Sequence, residues 1–168
     1  KTLSAGGLNT DTEVSGVISG GGGFSKRGTG TTTLSGGNTY SGATSIGEGT
    51  LKVTGTLSDS TAVNVSSGAT YDVDETDTIG SIAGAGSIEI AGGKTLSAVG
   101  LNTDTEVSGV ISGGGGFKKT GTGTTTLSGA NTYTGATSIT EGRLKVIGTL
   151  SDSTAVNVTV FATYDVDQ

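Results

Sequence analysis

The sequence predicts an all-β fold, a right-handed parallel β-solenoid, and three observations predict it. The chain repeats itself: residues 1–75 and 94–168 align at an offset of 93 with 63 of 75 positions identical, KTLSAGGLNTDTEVSGVISGGGGF being answered by KTLSAVGLNTDTEVSGVISGGGGF. Its 33 Gly, 32 Thr and 20 Ser make up about half of the 168 residues, and there is no Pro. Its apolar residues alternate with polar ones in short runs, the period of a half-buried strand, and nowhere hold the spacing of three and four that marks a helix. Gly and β-branched residues both disfavour helix.

The strand candidates follow in order: Thr12–Ile18, Thr31–Ser35, Ala43–Ile46, Thr50–Thr54, Thr61–Val65, Tyr71–Val73, Ser81–Ile82 and Ser87–Ile90. Gly, Asn and Asp separate them, which is turn chemistry. In TLKVT, Leu51 and Val53 share one face and Lys52 takes the other, because strand side chains alternate. Val63 and Val65 point inward about Asn64, and Ile88 and Ile90 about Glu89. One-sided strands this short need a neighbour to cover the apolar face. Rungs of two or three strands, stacked about 4.8 Å apart, provide it. About a dozen candidates per 93 residues give four to five rungs per repeat and about 20–24 Å of length.

A β-sandwich of immunoglobulin type uses longer strands and a larger aromatic core. Three Phe and four Tyr supply that poorly. Disorder is opposed by the alternation and by the lack of Pro. Residues 76–93 occur once and continue the small-apolar pattern, so no domain boundary is drawn. The expected organisation is one continuous solenoid over 1–168, with copy one at 1–93 and a truncated copy two at 94–168.

The segment Gly22–Gly55, GGFSKRGTGTTTLSGGNTYSGATSIGEGTLKVTG, carries the most specific pattern, and Gly115–Gly148 repeats it. Its order is Phe24, Lys26, Gly28, Gly30, Leu34, Ser35, Gly36, Asn38, Thr39, Tyr40, Gly42, Thr44, Gly49, Leu51 and Val53. The second set is Phe117, Lys119, Gly121, Gly123, Leu127, Ser128, Gly129, Asn131, Thr132, Tyr133, Gly135, Thr137, Gly142, Leu144 and Val146. Both resemble the passenger-associated transport repeat of bacterial autotransporters. The resemblance implies a β-helical passenger at the bacterial surface or outside the cell, with a role in secretion, adhesion or surface coating. The membrane β-barrel translocator of that family has no counterpart in these residues.

The chain carries a formal charge of −6. It has no basic stripe for phosphates, which argues against nucleic acid. The acidity keeps a long object soluble and apart from its neighbours. No apolar run is long enough for a transmembrane helix. The chain has no initiator Met or signal peptide, which fits processing or a fragment.

Chemistry finds little purchase. Without His or Cys there is no Ser-His-Asp or Cys-His site. Ser25 and Lys26 are adjacent on a strand, point opposite ways and read as surface decoration. Asp72, Asp74, Glu75 and Asp77 are candidate glycosidase carboxylates or oxygen ligands for Ca²⁺. The simpler reading is a solvated, mutually repelling edge that discourages sideways pairing. The glycine runs Gly20–Gly23 and Gly113–Gly116 lack the Gly-Lys-Ser/Thr of a phosphate loop and mark bends or close rung contacts. Thr29 and Thr31 suggest an ice-binding rank, but copies 93 residues apart do not stack one. Tyr40 and Tyr133 could stack sugars, yet read better as plugs against the core with a wet phenol. Arg27 faces Thr120 across the repeat, and Arg143 faces Thr50, so neither copy holds both arginines of a lyase groove. Val160 and Phe161 replace Ser67 and Gly68, which predicts a different turn or a new contact.

No catalytic, cofactor or metal residue is therefore assigned. The expectation is a structural, non-enzymatic solenoid segment of a large, repetitive, secreted surface protein: a stalk, adhesin or extracellular fibre. A glycan-binding adhesion module is the alternative, and a solenoid polysaccharide lyase or hydrolase the weaker one. Its partners are adjacent repeats or copies of itself, with surface glycans or neighbouring cells as further candidates. The pattern stops mid-unit at Lys1 and Gln168 without a capping segment. End rungs with unpaired N–H and C=O groups should therefore continue covalently or stack head to tail.

Overall fold

The computed structural model describes residues 1–151 and 154–167; Gln168, the expected ragged end of copy two, lies outside them. The described residues form parallel strands wound as a β-solenoid with three faces. A nine-stranded sheet stacks Thr2–Ala5, Gly23–Lys26, Thr44–Ile46, Ala62–Val65, Ser81–Gly84, Thr105–Val107, Thr124–Leu127, Gly142–Val146 and Ala162–Val166. A six-stranded sheet stacks Thr12–Val14, Thr31–Leu34, Thr50–Val53, Thr70–Val73, Ser87–Ile90 and Ile111–Ser112. A five-stranded sheet stacks Asp77–Ile79, Thr95–Ala98, Gly116–Lys119, Thr137–Ile139 and Val156–Val158. Nine strands along one face make about eight turns.

The alternation read from the sequence sets which side chains enter the core. Leu51 and Val53 are buried about Lys52, Val63 and Val65 about Asn64, and Ile88 and Ile90 about Glu89. Like stacks on like: Leu51 registers with Tyr71 and Val53 with Val73, while Lys52 registers with Asp72. The strands are shorter than expected at Thr12–Val14, because Ser15–Ile18 leaves the sheet to turn a corner. Three strands of copy one escaped the sequence reading: Thr2–Ala5, Gly23–Lys26 and Asp77–Ile79. Each holds no more than two large apolar residues beside Gly, Ser, Lys or Asp, too few for an alternation to show.

Glycine sits where rungs touch. A Cβ on Gly55 would lie 2.2 Å from the Gly36 carbonyl oxygen, and one on Gly148 would lie 2.1 Å from that of Gly129. The glycine runs hold such contacts in part: a Cβ on Gly22 would meet the Lys1 carbonyl oxygen at 2.2 Å and one on Gly113 that of Ile90 at 2.2 Å, whereas one on Gly20 or Gly21 would meet open space.

The third face is thin in copy one. There the chain forms only the bridge between Gly37 and Thr56 before the Asp77–Ile79 strand begins. The equivalent bridge in copy two joins Ala130 and Thr149. These two bridges lie on different faces of the solenoid. Leu57, beside the first, bonds across to Asp77 of the five-stranded sheet. Thr132, beside the second, donates its N–H to the carbonyl of Ile111 in the six-stranded sheet.

Candidate functional site

The pattern repeated in each copy assembles an interior set of ties. Phe24, Ser25 and Lys26 lie on one strand, so Lys26 follows Phe24 inward and is fully buried. This corrects the expectation of surface decoration: only Ser25 of that pair faces outward. The Lys26 ammonium donates to the carbonyls of Arg27 at 2.9 Å, Gly28 at 2.6 Å and Glu48 at 3.1 Å. Gly28 holds φ +70°, and its left-handed backbone makes the corner that the ammonium fills. Lys119 repeats the arrangement toward Thr120 at 2.8 Å and Gly121 at 2.6 Å. Burial pushes both lysines below their ordinary pKa, partly offset by Glu48 and Asp11 around Lys26 and by Glu141 and Asp104 around Lys119.

Asn38 ties three segments. Its Oδ1 accepts from the Ile18 N–H at 3.0 Å, and its Nδ2 donates to the Gly36 and Thr56 carbonyls at 2.9 and 3.0 Å. Asn131 does the same with Ile111, Gly129 and Thr149. An unpaired buried polar group costs about 1–3 kcal/mol, so these side chains stand in for ladder bonds where the thin face has no strand.

Tyr40 is buried with its ring 6.3 Å from that of Phe24. Its hydroxyl is not wet, as the sequence suggested, but shares a 2.6 Å hydrogen bond with the Thr44 hydroxyl, which reaches Thr61 at 3.1 Å. Tyr133 pairs likewise with Thr137 at 2.6 Å. Desolvation pushes both phenols up to about 12. Neither ring is available to stack a sugar.

The structure separates the acidic candidates. Asp72 and Asp74 face outward about buried Val73, and Lys52 from the rung below lies 2.9 Å from one and 2.5 Å from the other. The expected mutual repulsion is therefore bridged, and the hydrogen bonds that Lys52 donates to Asp74 and Asp72 raise its pKa. Glu75 pairs with Lys94 at 2.7 Å, which holds its carboxyl below the usual range. Asp77 is buried instead. It accepts the Leu57 N–H and the Thr78 N–H at 2.9 Å each, and desolvation raises it to about 6. Among the described residues no three acidic side chains converge as a metal cluster would. Copy two rebuilds the outer pairs as Arg143 with Asp165 and Lys145 with Asp167, the latter at 2.9 Å.

Val160 and Phe161 occupy a turn and are 89% and 84% exposed. The turn keeps its hydrogen bond, Ala162 N–H to the Thr159 carbonyl at 3.1 Å, as Ala69 does to Ser66 at 3.0 Å. Gly68 holds φ +82° in copy one, whereas Phe161 is not left-handed, so the turn differs in conformation as expected. Thr31 registers with Thr50 and Thr50 with Thr70 on the six-stranded face.

The signal for Lys26 was in the sequence. Lys26 sits two residues from Phe24, and a period of two puts both on the same side. Its charge concealed it, because buried lysines are rare unless their donors are satisfied.

These features define a stacked-rung scaffold whose recurring polar residues serve backbone satisfaction. Residues 24–53 and 117–146 match the family model of the passenger-associated-transport-repeat, bearing out the resemblance at both places. No curated protein and no solved structure matches the chain. The repeat and the solenoid fold fit a structural segment of an autotransporter passenger, and that family implies a secreted or surface protein. Among the described residues no helix is long and apolar enough to cross a membrane.

Proposed function

We propose that this chain is a non-enzymatic, continuous solenoid segment of a large extracellular or surface-exposed protein, serving as a rod in a stalk, adhesin or fibre. The observation that carries this reading is the dependence of each rung on the next. Leu96 is fully buried between rungs, whereas its equivalent in the first rung, Leu3, is 51% exposed. Val65 and Val73 are buried, and their equivalents Val158 and Val166 near the other end are half exposed. Covering one such side chain contributes about 1.5–3 kcal/mol, so an added rung, from the same chain or another, is favoured. Head-to-tail association of the purified chain follows. Negative-stain electron microscopy with light scattering tests it: rods that lengthen with concentration are expected, and monodisperse compact monomers at all concentrations would overturn it.

A further inference from the structure

We propose that each 93-residue repeat is a display unit that turns its outward surface by about 120° relative to its neighbour, so that a run of repeats offers the same surface on three sides of the rod. The inference rests on the solenoid reading above and deepens it. From Thr2–Ala5, four steps along the nine-stranded sheet reach Ser81–Gly84; the chain then crosses Ser87–Ile90 in the six-stranded sheet and arrives at Thr95–Ala98, the equivalent strand, in the five-stranded sheet. One repeat is thus four turns and two of three faces. Side-chain ties between adjacent rungs mostly span 20 residues, and 93 residues hold four and two-thirds such turns.

Among the described residues, equivalent outward positions of the two copies therefore do not stack on one another. Ser4, Ser25, Ser45 and Asn64 form a ridge of hydroxyl and amide groups on the nine-stranded face. Their equivalents Ser97, Lys118, Ser138 and Asn157 form one on the five-stranded face. The Lys52–Asp72 pair lies on the six-stranded face, and its equivalents Lys145 and Asp165 lie on the nine-stranded face. Local structure survives the change of face because the ties at Lys26, Asn38 and Tyr40 reach only the same or adjacent rungs.

The rise per repeat is about 22 Å at 4.8 Å per rung, and a given ridge regains its face after three repeats, about 67 Å along the axis. Such a surface fits a partner that engages one repeat at a time and approaches from any side. A flat, rigid lattice would meet equivalent ridges on one repeat in three.

The cysteine-free chain suits pairs of spin labels, diluted with unlabelled chain so that only distances within one molecule are read. Ser45→Cys with Thr126→Cys and Ser45→Cys with Lys145→Cys lie on one face, four and five rungs apart, about 19 and 24 Å. Ser45→Cys with Ser138→Cys joins equivalent positions on two faces, with a rise between those values. The expected result is that this third distance exceeds both others, at about 30 Å once the faces' lateral separation of about 10 Å and the diverging label arms are included. A third distance falling between the two same-face distances would overturn the proposal while leaving the solenoid intact. Same-face distances far from 19 and 24 Å would overturn the solenoid reading, and the proposal with it.

Discussion

Replacing Lys26 by Met isolates the buried ammonium. Met fills similar volume with an apolar, flexible chain, so the stem's packing is kept. The charge and its three donors are removed, and the carbonyls of Arg27, Gly28 and Glu48 cannot be replaced because they are backbone. Exchanging a buried ion pair for apolar residues is often neutral, since both partners leave together. Here one partner stays. Hydrogen bonds to charged groups contribute about 1.5–3 kcal/mol each, offset by the ammonium's desolvation, and a buried carbonyl left unsatisfied costs about 1–3 kcal/mol, so the net loss should be about 1–3 kcal/mol. Lys119→Met leaves two carbonyls behind, at Thr120 and Gly121, and should cost less. Urea unfolding followed by circular dichroism gives the global shift. Amide exchange around Gly28 and Gly49 captures any opening confined to those rungs, because solenoids can unfold locally. If Lys26→Met shifts stability by less than about 1 kcal/mol by both measures, the ammonium is not the tie that its geometry indicates.

Two tyrosines should respond in opposite directions to loss of the hydroxyl. Tyr40→Phe loses the bond to Thr44 and should cost about 1 kcal/mol, whereas the buried Tyr71 hydroxyl has no partner among the described residues, so Tyr71→Phe should be neutral or stabilising by about 1 kcal/mol in the same urea assay. Asp77, raised to about 6 from 3.8, binds its proton more tightly folded than unfolded. Its contribution is fully present below pH 3.8 and is lost as pH rises through 6, on the order of 3 kcal/mol; a carboxyl signal from Asp77 titrating near 4 by NMR would rule this out. Gly55→Ala drives a methyl into the Gly36 carbonyl of the adjacent rung and should cost about 1–3 kcal/mol, visible as a lower melting temperature, while an unchanged melting temperature would mean the rungs are not so closely spaced.

Much of the fold was legible because strand alternation is a local property. Leu51, Val53, Val63, Val65, Ile88 and Ile90 face inward wherever their strand is placed, and the run of short one-sided strands demands a stack. The rung number was legible too, since about a dozen short strand candidates per 93 residues, at two or three to a rung, give four to five rungs. The ties were harder to read. Asn38 bonds to groups 18 and 20 residues away, and only the coil of the chain brings those carbonyls and N–H groups to it. The acidic run YDVDETDT shows the same limit: its residues look alike in sequence, yet Asp72 and Asp74 meet Lys52 while Asp77 turns inward against Leu57.

The sequence by itself determined the class of object: a repeated, parallel-stranded solenoid with a specified inner and outer set of side chains, because a period of two and a repeat of 93 residues are properties of the chain alone. Only the tertiary structure decided the phase between the copies. Phase depends on how many faces the chain crosses, and one of the three is marked in copy one by little more than a bridge between Gly37 and Thr56. A face held by a single bridge and an asparagine leaves no alternating signal to count.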